Sequence, residues 1–89
     1  MPVQTMLAQN YPNPFNPSTM IHYGVAERCH VSLAVYTTLG EKVAELVNGE
    51  KAAGYYDVKF DARNLAAGVY FYRLVAGNFV QTNKLLLVK

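Results

Sequence analysis

With 89 residues, 52% hydrophobic and 16% charged, the chain has room for one domain and is too apolar for intrinsic disorder. Its net charge of +2 comes from basic residues scattered among acids, which excludes the clustered basic surface of a nucleic-acid binder. One cysteine, Cys29, excludes an intrachain disulfide, and no apolar run approaches the ~18–20 residues of a membrane helix.

The opening Met1-Pro2-Val3-Gln4-Thr5-Met6 lacks the basic and apolar regions of a secretory signal. It reads as a linker remnant, residues 1–6, ahead of a folded unit over 7–89. Asn10-Tyr11-Pro12-Asn13-Pro14-Phe15-Asn16-Pro17-Ser18-Thr19 then sets three prolines beside asparagines around one phenylalanine. Proline fixes its own φ and extends the residue before it, and asparagine bonds nearby backbone in turns. The segment is expected to be a rigid, non-repetitive loop whose Phe15 plugs the end of the core.

Beyond the loop, turn signals recur at the ~8–12-residue spacing of a β-sandwich, and abundant Tyr, Phe and Val favour strands. Met20–Val25 is expected as a strand, ended by Glu27-Arg28. Cys29–Thr37 alternates, with Val31, Leu33 and Val35 on one face. Leu39-Gly40-Glu41 is a turn. Lys42–Val47 follows as a strand, although Ala44-Glu45-Leu46 also suits a helix, and Asn48-Gly49-Glu50 closes it. Gly54–Asp61 places Tyr56, Val58 and Phe60 together. Asp61–Gly68 is a connection with room for one helical turn ended by Gly68. Val69–Ala76 sets Tyr70, Tyr72 and Leu74 on one face and Phe71 and Arg73 on the other. A Gly77-Asn78 hairpin turn then leads into Val80–Val88, antiparallel to its predecessor. The pattern predicts an all-β, immunoglobulin-like antiparallel sandwich of about seven strands.

No catalytic constellation competes with this reading. Cys29 and His30 are adjacent on a strand and so face opposite ways. A hairpin at Ala26-Glu27-Arg28 would set His22 opposite Ser32, a pair without an orienting acid or an oxyanion loop. Two His and one Cys match no zinc spacing. Asp57 and Asp61 lie ~13 Å apart along a strand, too far for a carboxylate pair. Calcium at the Asn-rich loop finds no ligand-dense motif. Tyr23, Tyr36, Tyr55, Phe71 and Phe79 would suit sugar stacking if they formed one exposed strip, against which stands a plain role in covering the core and the absence of Trp. The expectation is a non-enzyme with no cofactor and no metal.

The most informative feature is the closing strand, Lys84-Leu85-Leu86-Leu87-Val88-Lys89. Chain ends are ordinarily polar and frayed unless something holds them, so an apolar strand between lysines is expected to complete a sheet, to be read by a partner, or both. An exposed edge there adds a partner strand through backbone bonds and also permits a homodimer.

Four segments carry a family resemblance. They are the Asn10–Thr19 loop with Asn13, Pro14, Phe15, Asn16 and Pro17; Val35-Tyr36-x-x-Leu39-Gly40; Leu65–Leu74 with Gly68, Val69, Tyr70, Tyr72 and Arg73; and the closing Lys84–Lys89 strand. In this order, over residues 7–89, the chain resembles type A C-terminal sorting domains, the secretion signals of the type IX (Por) system of Bacteroidetes and related bacteria. The resemblance implies a non-catalytic module behind an N-terminal cargo domain, with no membrane insertion of its own. Cargo would pass through the periplasm and, by way of translocon components, across the outer membrane. A sortase would often remove the domain and leave cargo secreted or on the cell surface. It also implies that Lys84, Leu85, Leu86, Leu87, Val88 and Lys89 form the recognised signal. Cys29-His30 replaces small residues of many relatives, and Thr37-Thr38 replaces the common Asn or Asp. A related domain of flagellar hook-capping proteins shares the loop and the Gly-Val-Tyr strand. The alternative functions are an accessory Ig-like module of a secreted enzyme, binding polysaccharide or acting as a scaffold.

Overall fold

A computed structural model of the chain describes residues 4–88. Seven strands form: β1 (Met6–Leu7), β2 (Ser18–Val25), β3 (Cys29–Thr37), β4 (Lys42–Lys51), β5 (Gly54–Asp61), β6 (Gly68–Ala76) and β7 (Phe79–Leu87), with no helix among the described residues. They make two antiparallel sheets in the orders β1-β2-β5 and β4-β3-β6-β7, the arrangement of an immunoglobulin-type sandwich. The alternating residues meet between the sheets. Ile21, Tyr23 and Val25 of β2 and Phe60 of β5 face Val31, Leu33 and Val35 of β3, Tyr72 and Leu74 of β6, and Leu85 and Leu87 of β7. Period-two sequence thus becomes one buried face per strand, as pleat geometry requires.

Four sequence expectations need correction. First, Ala26–Arg28 does not close a hairpin but carries the chain from one sheet to the other, β2 pairing with β1 and β5 while β3 pairs with β4 and β6. His22 consequently faces Asp57 of β5 rather than Ser32. Second, β4 does not end at Asn48-Gly49-Glu50 but runs on to Lys51, paired with Cys29. Register shifts near Leu33/Ala34 and Val35/Tyr36 interrupt the β3–β4 ladder, leaving Val43, Ala44, Leu46 and Val47 all half-buried. Such bulges break strict alternation, which is why Ala44-Glu45-Leu46 suits a helix on paper. Third, β2 starts at Ser18, two residues before the expected Met20.

The fourth correction concerns Gly68, which opens β6 instead of ending a helical turn. Its φ of 147° lies where a side chain is strained. One turn, with Leu65 N–H donating to Ala62 C=O at 3.0 Å, precedes it. Two residues into β6, the Tyr70 hydroxyl donates to Ala66 C=O at 2.5 Å. This reproduces the tyrosine corner found at the same place in immunoglobulin-type sandwiches.

Candidate functional site

The Asn-Pro loop and the closing strand are separated by some seventy residues, yet the fold joins them. β1 pairs with β2, Met6 opposite Gly24 and Leu7 opposite Tyr23, so pairing already begins within residues 1–6. The chain then continues as a strap, Ala8–Pro17, which still bonds β2 at Ala8 (N–H to His22 C=O) and at Tyr11 (both ways with Met20) before it crosses the side of the sandwich to the outer edge of β7. Phe15 N–H donates to Leu86 C=O at 3.0 Å, and Val88 N–H donates to Phe15 C=O at 2.9 Å. These two bonds make a short parallel bridge between Phe15 and Leu87. Leu86 N–H donates to Asn13 Oδ1 at 3.0 Å, and Gln9 Nε2 donates to Lys84 C=O at 2.8 Å. Phe15 is 1% exposed, and its ring meets Phe60 with centroids 6.1 Å apart. The expected plug is in place.

A polar hub holds the strap. Tyr72 Oη, inside the sandwich, accepts from Asn10 N–H and donates to Ala8 C=O, each at 2.8 Å. Asn83 Nδ2 reaches both Tyr72 Oη and Ala8 C=O at 3.3 Å, and Gln81 Nε2 donates to Leu7 C=O at 3.2 Å. Asn10 and Thr19, both 2% exposed, satisfy each other, with Asn10 Nδ2 donating to Thr19 Oγ1 at 3.1 Å. Thr19 Oγ1 donates in turn to Pro12 C=O at 2.8 Å. Among the described residues no buried side-chain polar atom lacks a partner, as a well-formed interior demands.

Burial raises the phenol of Tyr72 above its ordinary 10.0, opposed by the bonds from Asn83 and Asn10. Tyr23 is raised by burial and then by the neighbouring Tyr56. A folded value above the unfolded one means that these groups contribute full stability below about pH 10. That contribution is lost as pH rises beyond the unfolded value and through the folded one, because the unfolded chain then holds fewer protons. Chemical denaturation between pH 7 and 11 should therefore give a flat unfolding free energy to about pH 9.5, then a decline. An unchanged midpoint at pH 11 would contradict it.

The expected signal residues fall into two groups. Leu85 and Leu87 are core, at 0% and 2% exposed. Lys84 and Val88 are exposed and Leu86 half-buried, on the outer face. Lys89 lies outside the described residues. Of the loop motif, Asn13, Pro14, Asn16 and Pro17 are exposed around the buried Phe15, and Asn13 and Phe15 are the two bonded to Leu86 and Val88. In the β6 motif Tyr70 and Tyr72 are interior, while Val69 and Arg73 face outward. β7 is a sheet edge as expected, but a freely available edge is not what Lys84–Val88 offers. The strap already bonds the outward backbone at Lys84 C=O, Leu86 and Val88, while the Lys84 amide and the outward groups of Thr82 and Val80 have no strap partner among the described residues.

Sequence reading missed Gln81 and Asn83 as holders of the strap. The available signal was their place at the inward phase of β7, where a polar side chain must find a partner. The other candidates dissolve. Tyr23 is core, Tyr55 lies on the outer face of the other sheet and Phe79 packs against the core, so the five aromatics make no common strip. His22 Nδ1 lies 2.6 Å from Asp57 Oδ1 on the surface. Asn10 spends its side-chain amide on Thr19 and Pro12 and Asn13 its oxygen on Leu86 N–H, and no cluster of three or more His, Cys, Asp or Glu is assembled among the described residues.

A family model described as the secretion system C-terminal sorting domain matches residues 9–89. No curated protein and no solved structure matches the chain.

Proposed function

The chain belongs to the secretion system C-terminal sorting domain family, a sorting signal for type IX secretion that is non-catalytic in general, and from that premise we propose that its recognised element is a composite surface. That surface joins the exposed loop residues Asn13, Pro14, Asn16 and Pro17 to the outward side chains of Lys84, Leu86 and Val88, with Lys89 beyond. The observation that carries this reading is the pair of main-chain bonds from Phe15 to Leu86 and Val88. A partner that read β7 by strand addition would have to compete with them. A partner that reads side chains finds both motifs held in one register. The unit over residues 7–89 follows an N-terminal cargo, brings it through the periplasm to the outer-membrane translocon, and is then a substrate for sortase removal with cargo left secreted or at the surface. Self-association through the Lys84–Val88 part of the β7 edge would likewise require the strap to leave.

The test is a secreted reporter fused to this chain in a type IX-competent bacterium. Deleting Lys84–Lys89 is uninformative, because it strips Leu85 and Leu87 from the core. Leu86→Ser with Val88→Ser changes only the outer face. The expected result is a domain that folds and loses most export. Wild-type export from that folded double variant would refute the composite surface, and a wild-type fusion retained in the periplasm would refute sorting by this domain.

A further inference from the structure

Arg73 sits in β6 between Tyr72 and Leu74, both core residues, yet its own side chain lies on the outer face of the β4-β3-β6-β7 sheet. Its guanidinium carbon is 5.3 Å from the Tyr36 ring centroid, and Nε donates to Thr82 Oγ1 at 3.3 Å. A ring contact and a bond at Nε restrain the guanidinium plane before any ligand arrives. The two terminal nitrogens are left without a partner among the described residues.

No carboxylate among the described residues forms an ion pair with it. The ion pairs among the described residues join His22 to Asp57, Arg28 to Glu50, Lys42 to Glu45 and Arg63 to Asp61. Glu45 shares the cross-strand row of Arg73 but lies two strands away, beyond Ala34, about 10 Å distant by strand spacing. Lys84 stands opposite Phe71, diagonal to Arg73, and is in no ion pair among the described residues. Between Arg73, Tyr36, Phe71, Thr82 and the Thr37–Gly40 turn opens a cavity of about 260 Å³. That is smaller than the ~300–1,000 Å³ of sites for drug-sized ligands and suits one inserted side chain. A sugar ring would need an open aromatic face, and the Tyr36 face is occupied by the guanidinium.

We propose that this slot docks an acidic side chain of a protein partner of the sorting domain, the carboxylate meeting the terminal nitrogens of Arg73 while Lys84 meets a second acid. This rests on the sorting reading and gives the chemistry of the partner: an Asp- or Glu-bearing segment, seated on the face that continues from Leu86. Two cations without acids on a partly apolar face supply the complementarity.

The full chain is titrated with acetylated tetraglutamate amide, with tetraglutamine and glucuronate as parallel probes, and amide shifts are followed by NMR. Tetraglutamate should move Tyr36, Phe71, Arg73, Thr82 and Lys84, and added salt should weaken it. Arg73→Gln should bind roughly tenfold more weakly, the loss expected for a charge-assisted bond, while Lys59→Gln on the other sheet should bind as wild type. Shifts spread over all basic residues, undiminished affinity in Arg73→Gln, or glucuronate binding as tightly as the peptide would each overturn the proposal. The reporter assay separates the two readings. Wild-type export of folded Arg73→Gln, alongside failure of the Leu86/Val88 variant, removes the acid slot and leaves sorting intact.

Discussion

Phe15→Ala should lose about 3–5 kcal/mol of stability, the cost of emptying a buried aromatic site. For a chain of 89 residues the total is only about 4–13 kcal/mol, so the variant is expected at the margin of folding. The cost has two sources. The ring is 1% exposed and closes the end of the sandwich against Phe60. Its backbone also carries both bonds of the parallel bridge to β7, which lose their alignment once the ring no longer anchors the strap. Phe15→Leu keeps most of the volume and should cost under about 1.5 kcal/mol, and it guards against a variant that simply fails to fold. Urea midpoints give the energies, and amide exchange locates the effect. In Phe15→Ala, exchange should quicken first at Leu86 and Val88, whose amides the strap receives. A cost below about 1 kcal/mol, with both amides protected as in the wild type, would show that the strap holds β7 without its plug.

The same strap marks where sequence ceased to be a sufficient guide. Strands β3, β5 and β6 announce themselves because each buries one face: Val31, Leu33 and Val35, then Tyr56, Val58 and Phe60, then Tyr70, Tyr72 and Leu74 lie at period two. Phe15 is legible for a related reason, since a lone aromatic among prolines has nowhere favourable to go except inward. What period two cannot express is which sheet a strand joins. Ala26–Arg28 is short enough for a hairpin, and nothing local to it marks that β3 crosses to the other sheet. Bulges erase the signal in β4 altogether. The site was half visible. Both motifs could be found in the chain, but their union depends on Asn13 and Phe15 meeting Leu86 across some seventy residues, a contact with no local signature. The exposed-edge expectation for the closing strand failed at that point: an apolar edge strand left bare invites aggregation, and this chain covers it with its own loop.

Tyr72→Phe should lose about 2–3 kcal/mol although it removes a single oxygen. The hydroxyl is the only acceptor found for Asn10 N–H among the described residues, and it donates to Ala8 C=O. Without it a buried amide is orphaned, and an unmet buried donor costs more than the net worth of an ordinary hydrogen bond. Ala8 C=O keeps Asn83 Nδ2 at 3.3 Å, which limits the loss on that side. Asn83→Ala alone should cost about 1 kcal/mol, since Tyr72 retains two of its three partners. The two changes should combine to less or more than their sum by at least about 0.5 kcal/mol, because they act on one network. The pH dependence supplies an independent readout. A phenylalanine cannot ionise, so part of the alkaline decline tied to the raised phenol of Tyr72 should vanish in Tyr72→Phe, leaving the share that belongs to Tyr23. An alkaline limb identical to wild type, together with strict additivity with Asn83→Ala, would place the strap's anchorage elsewhere than in this hub.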